Sequence, residues 1–223
     1  MGNLFNMDNG FFTFLSKVCD ILFLSVIWAI ICIPIITIGP ANTALYYVTV
    51  KVIRRERGYL FREFFKSFRL NFKRAAIFGV VLTIMFFVLI FDLFTSWATL
   101  GEASTMGSIF FGIYVAITFL LLCFSLYVFP VLSRFDMNIK QLIKAASFMS
   151  MRHLPYTLGM VIVTIASIAG VLLIPILIFV LPATSTFINS LLMERILKKY
   201  MPQAEGSEGD TNNGTSKDEW YME

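Results

Sequence analysis

Four apolar runs, each long enough to cross a bilayer, constrain the fold of this chain more than any other feature. They occupy about residues 18–38, 75–98, 107–132 and 156–181. About 20 residues of α-helix cover the roughly 30 Å of a bilayer's hydrocarbon. Because backbone polar groups cannot stay unpaired in lipid, we predict an all-α, polytopic helical membrane protein. A hydrophobic content of 58% agrees with this fold class and excludes an ordinary soluble domain.

The segment between the first two runs, residues 39–74, is basic and amphipathic. It holds nine of the 18 lysines and arginines, which predicts a cytoplasmic position. Phenylalanines recur every three or four residues in its second half, with cations on the opposite side, which is typical of a helix. We expect this helix to lie in the headgroup plane, aromatic side down, although packing on other protein would give the same pattern. Its aromatic and basic residues are Phe61, Arg62, Phe65, Lys66, Phe68, Arg69, Phe72, Lys73 and Arg74.

Two proline-containing turns govern the number of crossings. Pro40 suits the first position of a new helix, with Asn42 and Thr43 available to satisfy its free amides. The return helix would cover 41–53, only about 20 Å, so the turn should lie within the bilayer. The motif PIITIGPANT at 34–43 is echoed by PILIFVLPATS at 175–185, which leads into a second short helix over 183–197. Whether the two short helices cross completely is not decided by the sequence.

These patterns predict about six crossings, four long and two short, with additional interfacial amphipathic helices. Both termini are then cytoplasmic, in a multi-pass protein of the cell membrane whose direct partner is the lipid bilayer. We expect Pro175 to kink the last long span, which runs from about 156 to 181. Residues 1–200 are predicted to form the helical membrane domain. Residues 201–223 are polar and acidic, and are predicted to be a disordered cytoplasmic tail.

The chain lacks the sequence signatures of catalysis. It has one histidine, no nucleophile motif, no phosphate-binding loop and no metal-ligand spacing, so we expect no enzyme, cofactor or metal. Its cations flank apolar runs without a nucleic-acid motif, so no nucleic-acid partner is expected. Polar groups at membrane depth remain as candidates, since such groups often serve function. They are the polar turns, Pro40, Asn42, Thr43, Pro182, Thr184 and Ser185, and the intramembrane acid Asp92.

Three segments carry a family resemblance: GPANTALYYVTVKVIRRERGY at 39–59, REFFKSFRLNFKRA at 62–75 and, more weakly, KAASFMSMRHLPYTL at 144–158. Through them the chain resembles the YesL-like family, small integral membrane proteins of Gram-positive bacteria classed as a domain of unknown function. The resemblance implies a setting beside carbohydrate ABC importers and no assigned reaction. We therefore expect an accessory or regulatory component of carbohydrate uptake, with permease subunits as partners. The alternatives are a transporter or channel for a small solute, and a membrane-surface scaffold.

Overall fold

The computed structural model describes residues 10–100, 105–135 and 137–200, and these residues form helices without a β-strand. The predicted all-α class is therefore confirmed for this part of the chain, whereas the predicted tail lies outside it. The helices are α1 (Gly10–Ile31), α2 (Ile38–Val48), α3 (Leu60–Leu100), α4 (Thr105–Arg134), α5 (Ile139–Arg152), α6 (Leu154–Leu173) and α7 (Leu181–Tyr200). Two 3₁₀ segments, Ile35–Thr37 and Pro175–Phe179, precede α2 and α7, and a π-helical segment, Thr49–Arg54, extends α2.

Three of the described helices are long and apolar enough to cross a membrane. They are Leu60–Ala98 in α3, Met106–Arg134 in α4 and Leu154–Leu173, which is α6. Their length and composition are those of a membrane protein, as the sequence predicts. The total number of crossings does not follow from them.

The basic segment and the second apolar run form one helix, α3, of 41 residues. The prediction of a separate helix lying in the headgroup plane is wrong, because no proline interrupts the segment and a continuous helix measures about 60 Å. Its aromatic side also packs on protein. Phe64 is fully buried, and Phe65 and Phe68 lie in the same apolar cluster as Leu24 of α1. The alternative interpretation of this amphipathic pattern, packing on protein, is therefore the observed one.

Prolines end helices here where the sequence predicts bends. α6 ends at Leu173, and Ile174 is extended (φ −133°, ψ 91°), as residues before a proline usually are. The prediction of one kinked span to about residue 181 is therefore wrong, and a 3₁₀ turn over Pro175–Phe179 separates α6 from α7. The first run likewise ends at Ile31 rather than residue 38. The two echoed motifs thus adopt the same order, with a helix, a 3₁₀ turn and a second helix.

The hairpin of α1 and α2 joins α3 through a glycine contact. A Cβ atom on Gly79 would lie 2.6 Å from both the Cα and the N of Gly39, and one on Gly39 would collide with the carbonyl of Ala75. Small residues four apart, here Ala75 and Gly79, allow this kind of close backbone approach between membrane helices. The contact fixes the tip of the first hairpin beside the middle of α3.

Candidate functional site

A cavity of about 460 Å³ lies between α2, α4, α6 and α7. Its volume falls within the range of about 300–1,000 Å³ that is typical of small-molecule sites. No residue that lines it carries a charge. The lining residues with polar side chains are Asn42, Tyr46, Ser125, Thr164, Ser167, Ser185, Thr186 and Asn189, and the indole of Trp28 contributes a further donor.

Two asparagines, one from each hairpin, make hydrogen bonds to side chains of other helices in the cavity wall. The Asn42 Oδ1 accepts a hydrogen bond from the Trp28 Nε1 (2.8 Å). The Asn189 Nδ2 donates to the Thr164 Oγ1 (3.1 Å), whereas the Asn189 Oδ1 is buried and accepts no hydrogen bond from the described residues. A buried amide oxygen without a donor is unfavourable by about 1–3 kcal/mol. Because less than 1 Å² of this oxygen is accessible, an occupant of the cavity would reach it, and remove this cost, only if the Asn189 amide turned toward the cavity.

The structure brings together half of the predicted polar-turn residues. Asn42, Pro182 and Ser185 line the cavity, one from α2 and two from α7. Pro40, Thr43 and Thr184 do not line it.

The predicted capping role of the α2 side chains is wrong. α2 begins at Ile38, two residues before Pro40, and Thr43 donates back to the carbonyl of Gly39 (3.0 Å) instead of accepting from an amide. Thr184 does the same toward Val180 (2.9 Å). The start of α7 is instead capped by the buried Ser25 of α1, which accepts from the Ala183 amide (3.1 Å).

Asp92, the candidate intramembrane acid, lies apart from this cavity. It is half-buried on α3 and is not a lining residue. Its backbone carbonyl accepts a hydrogen bond from Thr95 one turn later (3.0 Å), a local contact of the helix. The structure therefore gives Asp92 no part in the candidate site.

Sequence reasoning missed a buried ionic cluster at the floor of the cavity. The Glu194 Oε1 accepts hydrogen bonds from the Tyr46 hydroxyl (2.8 Å) and from the Arg134 Nη2 (2.6 Å). The Arg55 Nη2 lies 4.0 Å from the Glu194 Oε2. Tyr46 also lines the cavity, so its ring separates the cavity from the cluster. The sequence shows Glu194 among cations of α7, but not that its partners come from α2 and α4.

A second buried ion pair holds the end of α2 to the start of α3. The Lys51 Nζ lies 2.9 Å from the Glu63 Oε2 and donates to the Tyr47 hydroxyl (3.1 Å). Burial alone would lower the pKa of Lys51, but the hydrogen bonds to Glu63 and Tyr47 outweigh it and raise that pKa. Lys51 itself is buried, with 8% of its surface exposed.

The predicted basic face of α3 is exposed, in contrast to its aromatic face. Arg62, Lys66, Arg69 and Lys73 are exposed, and Arg74 is half-buried. Among the apolar residues of this segment only Phe61 and Leu70 are exposed. A helix with so little free apolar surface is poorly suited to insert sideways into a lipid surface. The structure therefore leaves little aromatic surface on this helix for the membrane contact that the scaffold alternative requires.

Comparison with known families gives one match over part of the chain. Residues 21–93 match a family described as "Protein of unknown function, DUF624". The matched region runs from α1 to the last quarter of α3, so it includes the glycine contact and the Lys51–Glu63 pair. Neither the curated proteins nor the solved structures include a match. Because the family is described as of unknown function, the match assigns no activity. The YesL-like resemblance stays a prediction.

Proposed function

We propose that this membrane protein binds a small uncharged molecule in the cavity between its hairpins, as a transporter or carrier. The observation that supports the proposal is the buried, unpartnered Asn189 Oδ1 in a cavity without charged lining. A donor on the ligand would pair with this oxygen. A charged ligand is disfavoured because its charge would be buried without a partner.

We further propose that the two hairpins enter the membrane from the cytoplasmic side and turn back within it, so that α3 and α4 are the complete crossings. In this arrangement α6, which at about 30 Å is long enough to cross, is tilted or lies partly outside the hydrocarbon. The exposed cations of α3 end at Lys73, which supports a membrane portion that starts near Ala75. The remaining run, 75–98, would measure about 36 Å, a full crossing. Gly79, which contacts the tip of the first hairpin, lies only about 6 Å beyond Ala75 along the helix.

The second hairpin has its tip close to the first one. Ser25 on α1 donates to the Val180 carbonyl (3.2 Å) and accepts from the Ala183 amide, so the α6–α7 turn lies beside α1. In this arrangement both termini are cytoplasmic, in a multi-pass protein of the cell membrane. The proposal replaces the six crossings expected from the sequence with two crossings and two re-entrant hairpins.

Single cysteines in a variant without the native cysteines test the cavity. Ser185→Cys places a thiol on the cavity wall, and Thr184→Cys, its half-buried neighbour outside the wall, is the matched control. With N-ethylmaleimide, a small uncharged reagent, we expect Ser185→Cys to react at least tenfold faster. Equal rates would mean that small molecules do not enter the cavity.

An Ile35→Cys variant tests the hairpin placement separately. Ile35 is exposed at the tip of the first hairpin. A membrane-impermeant maleimide added to intact cells should leave it unmodified, because a re-entrant tip does not reach the outer surface. Labelling as fast as that of a cysteine at Met106, in the predicted external loop, would rule out the re-entrant arrangement.

We also propose, as a second candidate, an accessory role beside a carbohydrate permease. The family resemblance supports this role. The exposed apolar faces of α3 and α4, for example at Phe87, Phe94 and Ile113, offer a surface for contact with permease subunits. Purification from native membranes in mild detergent should recover permease subunits. Phe87→Ala with Phe94→Ala should reduce that recovery severalfold. Repeated isolation of the chain alone would count against the accessory role.

A further inference from the structure

Exposed apolar side chains of α6 form one side of the cavity. Ile168 and Leu172 both line the cavity, and they are 52% and 78% exposed on α6, one of the helices apolar enough to span a membrane. Leu173 and Ile176, next along the chain, are also exposed. Side chains of this kind on a membrane helix are in contact with lipid. A molecule that passes between them therefore comes from the bilayer.

Both amides of the cavity wall belong to α2 and α7, whereas α4 and α6 contribute mainly apolar side chains together with the hydroxyl residues Ser125, Thr164 and Ser167. Leu122, Leu126 and Phe129 of α4 present apolar surface, as does Val171 of α6. The amides come from the other side, Asn42 from α2 and Asn189 from α7, and Trp28 adds its ring. Such a division suits a ligand with an apolar body and one small hydrogen-bonding head.

Most of the hydroxyl groups in the wall are already occupied by their own helices. Thr164 donates to the Met160 carbonyl (2.8 Å), Ser185 to Pro182 (3.0 Å) and Thr186 also to Pro182 (2.8 Å). The amide oxygen of Asn189 is left as the buried acceptor. Because these hydroxyl groups have used their protons, the wall offers few free donors, and the many oxygen acceptors of a sugar would be buried without a partner.

We infer that the ligand is an uncharged amphiphile that enters from the membrane between α4 and α6, a conclusion that rests on the proposed function. Its alkyl part lies against α4 and the rim of α6, and its hydroxyl or amide head donates to Asn189. The absence of charge from the lining excludes phospholipid headgroups as well as ionic solutes. A monoacylglycerol represents this chemical class.

Trp28 provides a direct test, since it lines the cavity and is one of only three tryptophans, at positions 28, 97 and 220. In a Trp97→Phe, Trp220→Phe variant, Trp28 is the sole reporter. The protein is placed in phosphatidylcholine vesicles and titrated with a monoacylglycerol whose acyl chain is dibrominated, because bromine quenches tryptophan fluorescence on contact. We expect saturable quenching. Asn189→Leu, which removes the polar acceptor, should raise the half-saturating concentration at least fivefold.

Two isoleucines of α6 provide a matched pair for the rim. Ile168→Phe narrows the mouth and should also weaken the quenching. Ile165→Phe alters a residue of the same helix that is equally exposed (52%) but does not line the cavity, and it should have no effect. Quenching that none of these variants changes would show only general lipid contact and would overturn the inference.

Other quenchers separate this inference from the proposed function. If water-soluble acrylamide quenches Trp28 and the brominated monoacylglycerol does not, the cavity opens to water: the amphiphile is excluded and the proposed function survives. Equal quenching by a brominated lysophosphatidylcholine would overturn the selection for uncharged ligands. If no quencher reaches Trp28 and Ser185→Cys reacts no faster than Thr184→Cys, the cavity is closed and both proposals fail.

Discussion

Gly79→Ala is expected to destabilise the protein by about 3 kcal/mol or more, because overpacking of a tight contact forces backbones apart. The new Cβ would lie 2.6 Å from the Cα of Gly39, and a backbone atom cannot move aside as a flexible side chain can. Separating α2 from α3 there would also disturb the Lys51–Glu63 pair further along the same helices. In detergent we expect a lower midpoint of thermal unfolding and a smaller monodisperse fraction on size exclusion. Gly79→Leu should give no folded protein.

The matched control is Gly112→Ala on α4. A Cβ at that position would meet nothing within 4 Å, so the same substitution adds the same atom without a collision. It should leave the midpoint unchanged or raise it slightly, since alanine favours helix more than glycine does. If the variants at Gly79 and Gly112 melt at the same temperature, α2 and α3 do not approach as closely as the structure indicates, and the depth assigned to the hairpin tip loses its support.

Glu194→Leu is expected to destabilise the protein by about 3–5 kcal/mol, the usual effect of removing one partner of a buried ion pair. The substitution takes the carboxylate away from Arg134 and the acceptor away from Tyr46, both of which are buried. For a domain of this size such a loss lowers the melting midpoint by roughly 6–20 °C. Glu194→Gln keeps a hydrogen-bond acceptor without the charge. Its melting midpoint should therefore fall between those of the wild-type protein and Glu194→Leu.

Glu56→Gln is the corresponding control at the surface. Glu56 pairs with Lys17 at 2.7 Å, but their side chains are 63% and 38% exposed. Exposed pairs of this kind contribute at most about 1 kcal/mol, so the midpoint should shift by only a few degrees. A Glu194→Leu protein as stable as the Glu56→Gln protein would show that the cluster is hydrated and does not tie the helices together.

The Glu194 cluster matters for the proposed function because of its position. Its members come from α2, α4 and α7, three of the four helices around the cavity, and Tyr46 belongs to both the cluster and the cavity wall. The destabilisation measured for Glu194→Leu therefore also measures how strongly the cluster holds these three helices together.

The sequence predicts local features well where a short segment contains their cause. Helix formation follows from the apolar runs, and the breaks near Pro34 and Pro175 follow from residues that cannot continue a helix. The likeness of the two proline motifs also corresponds to two similar hairpins in the structure. These features depend on neighbouring residues, so the printed sequence is sufficient for them.

Predictions that depend on contacts between distant residues were less successful. The phenylalanine pattern of residues 61–72 defines an apolar face but not its neighbour, which is mainly α2, with α1 in the same apolar cluster, as the burial of Phe64 shows. The sequence predicts that Asn42 caps a helix, yet its side-chain oxygen accepts a hydrogen bond from Trp28 of another helix. An amphipathic pattern states only that one face avoids water, and protein and lipid both satisfy that requirement.

What the sequence by itself determined is the class of the protein, because these properties add up residue by residue: it is helical and rich in membrane-length apolar runs, and its basic residues are clustered beside those runs. Only the tertiary structure decided that Asn42, Asn189 and Ser185 surround one cavity and that Glu194 meets Arg134, 60 positions away along the chain. Such a site depends on how helices cross, and two glycines on separate helices, Gly39 and Gly79, set one of those crossings. The energy of that contact belongs to the pair and cannot be assigned to either residue alone.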